Sequence, residues 1–275
     1  MRHEVRDDAG TSAKQGRAGW RPVERPGLCD GRSGVWPMAV LRTESLERRF
    51  GGLVAVHDLT FELAENEILG IIGPNGAGKT TAINVISGLY MPTTGRIFLG
   101  EDEITYAPPH VRCHMGIGRT FQLVHPLVDL TARENIMVGA LFGRNQRLRQ
   151  ARKTAEEIAA KLDLEGIDRS VSDLTVLEIK KLEIGRALAS NPKVLFLDEV
   201  MAGLNSDETK AALDAVRRIR DQGVAICVVE HVMSVIRDLT DRVVVLDGGT
   251  IIAEGPYSKV SADPRVIAAY LGEEE

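Results

Sequence analysis

The stretch Gly73-Pro-Asn-Gly-Ala-Gly-Lys-Thr80 narrows the possible folds of this chain more than any other. The spacing G-x-x-x-x-G-K-[ST] lets backbone N–H groups curl around phosphate oxygens, and it carries meaning only between a buried strand and a helix. Both flanks are right here. Ile68-Leu-Gly-Ile-Ile72 is apolar on both faces, as a parallel strand covered on both sides is. The spacing of Ile83, Ile86 and Leu89 predicts a helix from Thr80 to Leu89, whose N-terminus adds positive potential at the end of the loop. Lys79 is then expected to reach the β- and γ-phosphates of a nucleotide, and Thr80 to ligate Mg²⁺.

A second feature agrees. Val194-Leu-Phe-Leu197 reads as a buried strand ending in Asp198-Glu199. In an open α/β sheet, ligands bind at the carboxyl ends of the strands. Asp198 suits the metal and Glu199 suits a base for an attacking water. An acidic pair alone would signify only a solvated loop. With the phosphate loop it points to hydrolysis of a nucleoside triphosphate.

The remaining chain fits an α/β sheet with helices on both faces. Ala225–Val229 and Val243–Leu246 are further buried strands. A helix is expected from Ser206 to Gln222, with Ser206 as its cap and Asp207 and Glu208 complementing the dipole. From about Leu130 to Ser190 no strand is expected. Leu148, Ala151, Ala155, Ile158 and Leu162 form one stripe of an amphipathic helix there, so a helical subdomain interrupts the α/β core. An alternation that opens at Met38-Ala39-Val40, with Leu41, Thr43 and Ser45 set against Arg42 and Glu44, predicts the first strand. Residues 1–37 are rich in Arg, Gly, Asp and Pro without a period and are expected to be disordered; two readings stay open, Met38 as the true start or a real but mobile tail.

Composition excludes several classes. A formal net charge of −5 argues against a nucleic-acid partner. Cys29, Cys113 and Cys227 are too scattered for a disulfide framework or a zinc site. No run approaches the roughly 20 apolar residues that span a bilayer, so a membrane role must pass through a partner. The polar start lacks the apolar core of a secretory signal.

From Met38 to Gly272 the chain resembles the nucleotide-binding subunits of ABC transporters. Beyond the loop and the acidic pair, the resemblance rests on Phe50, Gln122 in Gly118-Arg-Thr-Phe-Gln, Gly203-Leu-Asn205 and His231 in Val229-Glu-His, all in the family's order. It narrows further. Arg49-Phe-Gly-Gly-Leu-Val-Ala-Val56, Gly116–Gln122, Thr131-Ala-Arg-Glu-Asn135, Val229–His231 and Ala262–Gly272 look like the branched-chain amino-acid uptake ATPases of the LivG type.

The resemblance implies an α/β fold: a phosphate-loop NTPase core with an antiparallel β subdomain and an inserted helical subdomain. The ATPase domain would span 38–272, with the helical insertion at about 123–190 and an acidic tail at 273–275. It implies that Phe50 stacks on adenine, and that Gly73, Pro74, Asn75, Gly76, Ala77, Gly78, Lys79, Thr80 and Thr81 hold the phosphates. Thr80, Gln122 and Asp198 would organise Mg²⁺, while Glu199 and His231 would serve hydrolysis of ATP. Implied partners are two membrane permease subunits, a second ATPase subunit and, indirectly, an extracytoplasmic solute-binding protein. The place implied is the cytoplasmic face of the membrane. Two other readings stay open: the ATPase of a lipid or lipopolysaccharide export complex, and a non-transport ABC ATPase acting on ribosomes or DNA.

One departure from the family matters. Its signature Leu-Ser-Gly-Gly-Gln aligns with Leu174-Thr175-Val176-Leu177-Glu178, and Val200 replaces the usual proline after the acidic pair. Both signature glycines, whose N–H groups approach the phosphate held by the opposite subunit, are lost, and Glu178 brings negative charge. The expectation is a heterodimer with a LivF-like paralogue rather than a homodimer. The helix after the signature is expected from Ile179 to Ala189.

Overall fold

The computed structural model describes residues 39–121 and 126–271. The expectations for 1–37, for Met38, for Gln122 and for the tail 273–275 therefore lie outside the described residues. The first part of the chain runs β1 (Ala39–Phe50), β2 (Leu53–Ala64), β3 (Ile68–Ile72), α1 (Lys79–Ile86), β4 (Thr94–Leu99), β5 (Asp102–Glu103), α2 (Pro109–Met115) and β6 (Ile117–Arg119). A helical stretch follows: α3 (Ala132–Gly143), α4 (Leu148–Lys161) and α5 (Val176–Leu188). The chain then alternates through β7 (Val194–Asp198), α6 (Ser206–Arg220), β8 (Ala225–Val229), α7 (Met233–Leu239), β9 (Arg242–Asp247) and β10 (Thr250–Gly255), and ends in α8 (Tyr257–Val260) and α9 (Pro264–Leu271).

Two sheets result. The first is antiparallel, in the order β2-β1-β4-β5. The second has the order β10-β9-β3-β8-β7-β6, parallel from β9 to β6 with β10 antiparallel at one edge. Its central strands are apolar throughout because both faces are covered. Along β7, Val194 and Phe196 enter the core shared with the antiparallel sheet and α1. Leu195 and Leu197 enter the opposite core, built with α3 to α7. The period-two alternation of the strand thus divides one apolar run between two cores.

Between β6 and β7 the described residues contribute no strand to either sheet, only an isolated bridge from Thr131 to Ser170. Thr131 caps α3 in a capping box with Glu134. Asn135, fully buried, donates from Nδ2 to the carbonyls of Leu127 and Thr131 and accepts the Leu127 N–H, pinning the segment that leads into α3.

Four boundary expectations are corrected. The helix after the phosphate loop stops at Ile86, and Leu89 lies beyond it, exposed. Arg112 Nη1 donates to the carbonyls of Val85 and Ile86, which a continuing helix would need for its next N–H groups. The cap of α6 is Asn205, whose Oδ1 accepts the N–H groups of both Asp207 and Glu208; Ser206 is the first helical residue. The stripe on α4 is buried only from Ala151 onward, since Leu148 opens the helix at the α3–α4 turn and is exposed. α5 begins at Val176, not Ile179, so the signature alignment falls on the first turn of a helix.

Candidate active site

Strand order assembles the site. β3, β8 and β7 are neighbours, and each releases its chain at the same edge of the sheet. The phosphate loop follows β3, His231 follows β8, and Asp198 and Glu199 close β7. Segments far apart in sequence, from Gly73 to His231, thereby meet at one edge.

In the loop, Gly78 holds φ +97°, and a Cβ there would stand 2.3 Å from the carbonyl oxygen of Ala55 on β2. The first turn of α1 has no side-chain cap and no acidic residue, so its N–H groups face the position of a phosphate. Lys79 is buried and donates from Nζ to the carbonyls of Gly73 at 2.6 Å and Pro74 at 2.7 Å. The lysine bridges the loop whose ligand it is expected to bind. Thr80 is exposed and Thr81 partly so.

Asp198 is 1% exposed. Its Oδ2 lies 3.4 Å from Arg119 Nη2, and its buried Oδ1 has no hydrogen-bond partner among the described residues. Burial raises its pKa, against the pull of Arg119. A buried carboxylate with one oxygen idle suits a cation, and the exposed Thr80 hydroxyl is of the right type to join it. Among the described residues no cluster of three His, Cys, Asp or Glu could hold a metal unaided. The donor set therefore fits Mg²⁺, which takes one or two carboxylates together with substrate phosphates.

Glu199 turns away from Asp198 through a left-handed backbone, φ +52°. Its Oε1 is 2.5 Å from His231 Nε2, and its carbonyl accepts from Lys180 Nζ. A carboxylate and an imidazole in direct contact at the mouth of the loop can order a water and handle its proton. Glu230, next to His231 in sequence, was assigned no role by sequence alone. It is 2% exposed, accepts the N–H of Met201 at 2.8 Å, and burial pushes its pKa up to about 7. It ties the turn after β7 to the end of β8.

Phe50 ends β1 and packs edge-on to Tyr90 at 5.3 Å, with the Arg48 guanidinium 4.5 Å from its ring centre. Arg48 also lies over the Tyr90 ring, so the three side chains form one aromatic–cation cluster. The structure places Phe50 in that cluster.

The signature segment is reorganised. Thr175 caps α5, its Oγ1 accepting the Glu178 N–H, while Glu178 Oε2 accepts the Thr175 N–H. Glu178 Oε1 also pairs with Arg169, which lowers its pKa. The negative charge that Glu178 brings is folded back on its own helix end and paired with Arg169. Leu174 is buried and Val176 is 53% exposed.

Two concavities flank the site. A groove of about 350 Å³ lies between α2, β6 and the helices α3 and α5, walled by Leu89, Cys113, Arg119, Phe121 and Phe142. On the other side Ala268 and Ala269 of α9 face Pro74–Ala77.

The phosphate loop, the paired carboxylates and the histidine at the edge of a parallel sheet, with a helical insertion and an antiparallel sheet, define an ATP-binding cassette. Two family models match the chain: ABC transporter over residues 56–202, and Branched-chain amino acid ATP-binding cassette transporter over 250–275. The chain is 38% identical over 250 residues to the high-affinity branched-chain amino acid transport ATP-binding protein LivG of Salmonella typhimurium, covering 85% of this chain and 98% of that protein. It is 36% identical over 251 residues to BraF of Pseudomonas aeruginosa, with the same coverage. A nucleotide-free ATP-binding cassette from an ABC transporter superposes with a TM-score of 0.78 at 31% identity, over 85% of this chain and 99% of that one. An ADP-bound cassette gives 0.77 at 31% identity, over 86% and 99%. The chain belongs to the ABC transporter ATP-binding family, in its branched-chain amino-acid branch. It is a nucleotide-binding ATPase of a transporter and works with membrane permeases. No helix among the described residues is long and apolar enough to cross a membrane.

Proposed function

We propose that this chain hydrolyses ATP on the cytoplasmic face of the membrane to drive import of branched-chain amino acids, as one of two unlike cassettes docked on two permeases. The carrying observation is the Glu199–His231 contact at the end of β7 and β8, beside the phosphate loop and the idle oxygen of Asp198. The relatives named for branched-chain transport and the carboxyl-terminal family match support the substrate class.

Phe50 would stack on adenine. ATP binding would draw Lys79 from the carbonyls of Gly73 and Pro74 toward the phosphates, while the loop and Thr81 hold them. Thr80, Asp198 and Gln122 would hold Mg²⁺, which supplies charge neutralisation at the phosphates. Glu199 orients the water and receives its proton, and His231 fixes the Glu199 carboxylate and reaches the terminal phosphate.

The first turn of α5 supports the heterodimer. Its capping box takes the Thr175 and Glu178 N–H groups, and Val176 and Leu177 stand where glycines would admit a phosphate. The site built on Lys79, Asp198, Glu199 and His231 would then need a glycine-bearing signature from another subunit. Two cassettes close over ATP because the nucleotide binds the closed state better. The apolar groove walled by Phe121 and Phe142 suits a cytoplasmic loop of a permease, with the solute-binding protein acting from the other side.

The test is reconstitution with permeases, second cassette and binding protein in liposomes. ATP turnover should rise with leucine, isoleucine or valine. A response to lipid or lipopolysaccharide instead would overturn the import reading.

A further inference from the structure

Arg119 touches three parts of the molecule at once. It closes the edge strand β6, and its side chain is 8% exposed. Nη1 donates to Asn84 Oδ1 at 2.5 Å and to Ser87 Oγ at 3.1 Å, at the far end of the helix that starts from the phosphate loop. Nη2 faces Asp198 Oδ2 at 3.4 Å. The guanidinium carbon lies 5.0 Å from the centre of the Phe121 ring. Arg119 and Phe121 both wall the groove, beside Cys113.

The three contacts are unequal. Those to α1 are short and well directed, and the bond to Asp198 is at the long limit. A buried carboxylate needs a compensating charge, and with Asp198 Oδ1 idle the guanidinium supplies it from one side only. A second cation at Asp198 would share the carboxylate and repel the guanidinium, so the long contact yields first. The ring of Phe121, held by the cation's face, would follow it.

We propose that Arg119 is a positioning residue that reports charge compensation at Asp198 to the groove: it holds Asp198 until a second cation shares the carboxylate and, when released, shifts the Phe121 wall. The inference rests on the reading of Asp198 as the metal carboxylate.

Cys113 is a built-in reporter, because it is half-buried on the groove wall while Cys227 is fully buried and its thiol is pushed up by burial. In the full chain carrying Cys29→Ser, the rate at which a thiol reagent modifies Cys113 is measured with no nucleotide, with ATP plus EDTA, and with ATP plus Mg²⁺. The rate should change only with Mg²⁺, and that change should be lost in Arg119→Met. Phe121→Leu, which leaves the Asp198 pair in place, should lose it as well and stands in if Arg119→Met does not fold. Asp198→Asn separates the two readings. If it loses the Mg²⁺ response while Arg119→Met or Phe121→Leu keeps it, the Arg119 link is wrong and the metal site stands. If Asp198→Asn keeps the response, the metal-site reading itself fails. No Mg²⁺ response in the parent overturns the link.

Discussion

Gly78→Ala tests the phosphate loop through a steric argument that has its own control. Gly78 holds φ +97°, where an L side chain costs about 1–2 kcal/mol. Its added methyl would also stand 2.3 Å from the Ala55 carbonyl oxygen, a backbone atom that cannot rotate away. Forcing β2 off the loop adds about 1–3 kcal/mol. Gly76 has φ +75° but no heavy atom within 4 Å of where its methyl would stand, so Gly76→Ala incurs the first cost alone. The difference between the two variants should therefore be about 1–3 kcal/mol. Chemical denaturation gives both stabilities, and equilibrium titration with ATP gives both affinities. The overlap is already present in the free loop, so affinity falls only as far as binding tightens it: about 1.4 kcal/mol of added strain in the bound loop lowers ATP affinity about tenfold in Gly78→Ala relative to Gly76→Ala. Equal stabilities for the two variants would refute the close packing of the loop against β2.

Other perturbations read other parts of the site. Thr175→Ala removes the capping box of α5 and should lower stability by about 1 kcal/mol, read as a melting shift of about 2–4 °C. Glu199→Gln keeps the shape and a hydrogen bond to His231 but cannot take a proton; ATP turnover should fall about 10²–10⁴-fold while ATP binding persists. Glu230, with its pKa raised to about 7, favours the folded state while protonated. That stability is fully present below its ordinary pKa of 4.5 and is lost as pH rises to 7. Glu230→Gln, which can still accept the Met201 N–H, should remove this slope from denaturation curves between about pH 4.5 and 7.5, and an unchanged slope would show that another group sets it.

The most local features were legible in the sequence. The phosphate loop, the acidic end of β7 and the apolar runs of β3, β7, β8 and β9 depend on neighbours in the chain, and spacing alone conveys them. One signal was present but unread: Thr175-x-x-Glu178 has the capping-box pattern, as do Thr131-x-x-Glu134 and Asn205-x-x-Glu208. Each marks a helix start, and the first would have placed α5 at Val176 and turned Glu178 inward. Arg112, Arg119, Arg169 and Glu230 carried no such signal. Their roles depend on which carbonyls and carboxylates the fold brings to them, as with Arg112, whose guanidinium ends α1 from 26 positions away. Phe50 was assigned to adenine by resemblance; its ring is occupied on one face by Arg48 and at one edge by Tyr90, neither visible from its sequence surroundings.

The pairing of one complete site with one altered signature is tested most directly by ATP turnover of the purified chain. It is measured alone and then with a second cassette bearing a glycine signature and the permeases, each beside Glu199→Gln. The expected result is silence alone, turnover on assembly, and loss of that turnover in Glu199→Gln. Turnover by the chain alone that disappears in Glu199→Gln would contradict it, because Leu174–Glu178 would then be a working signature in a homodimer.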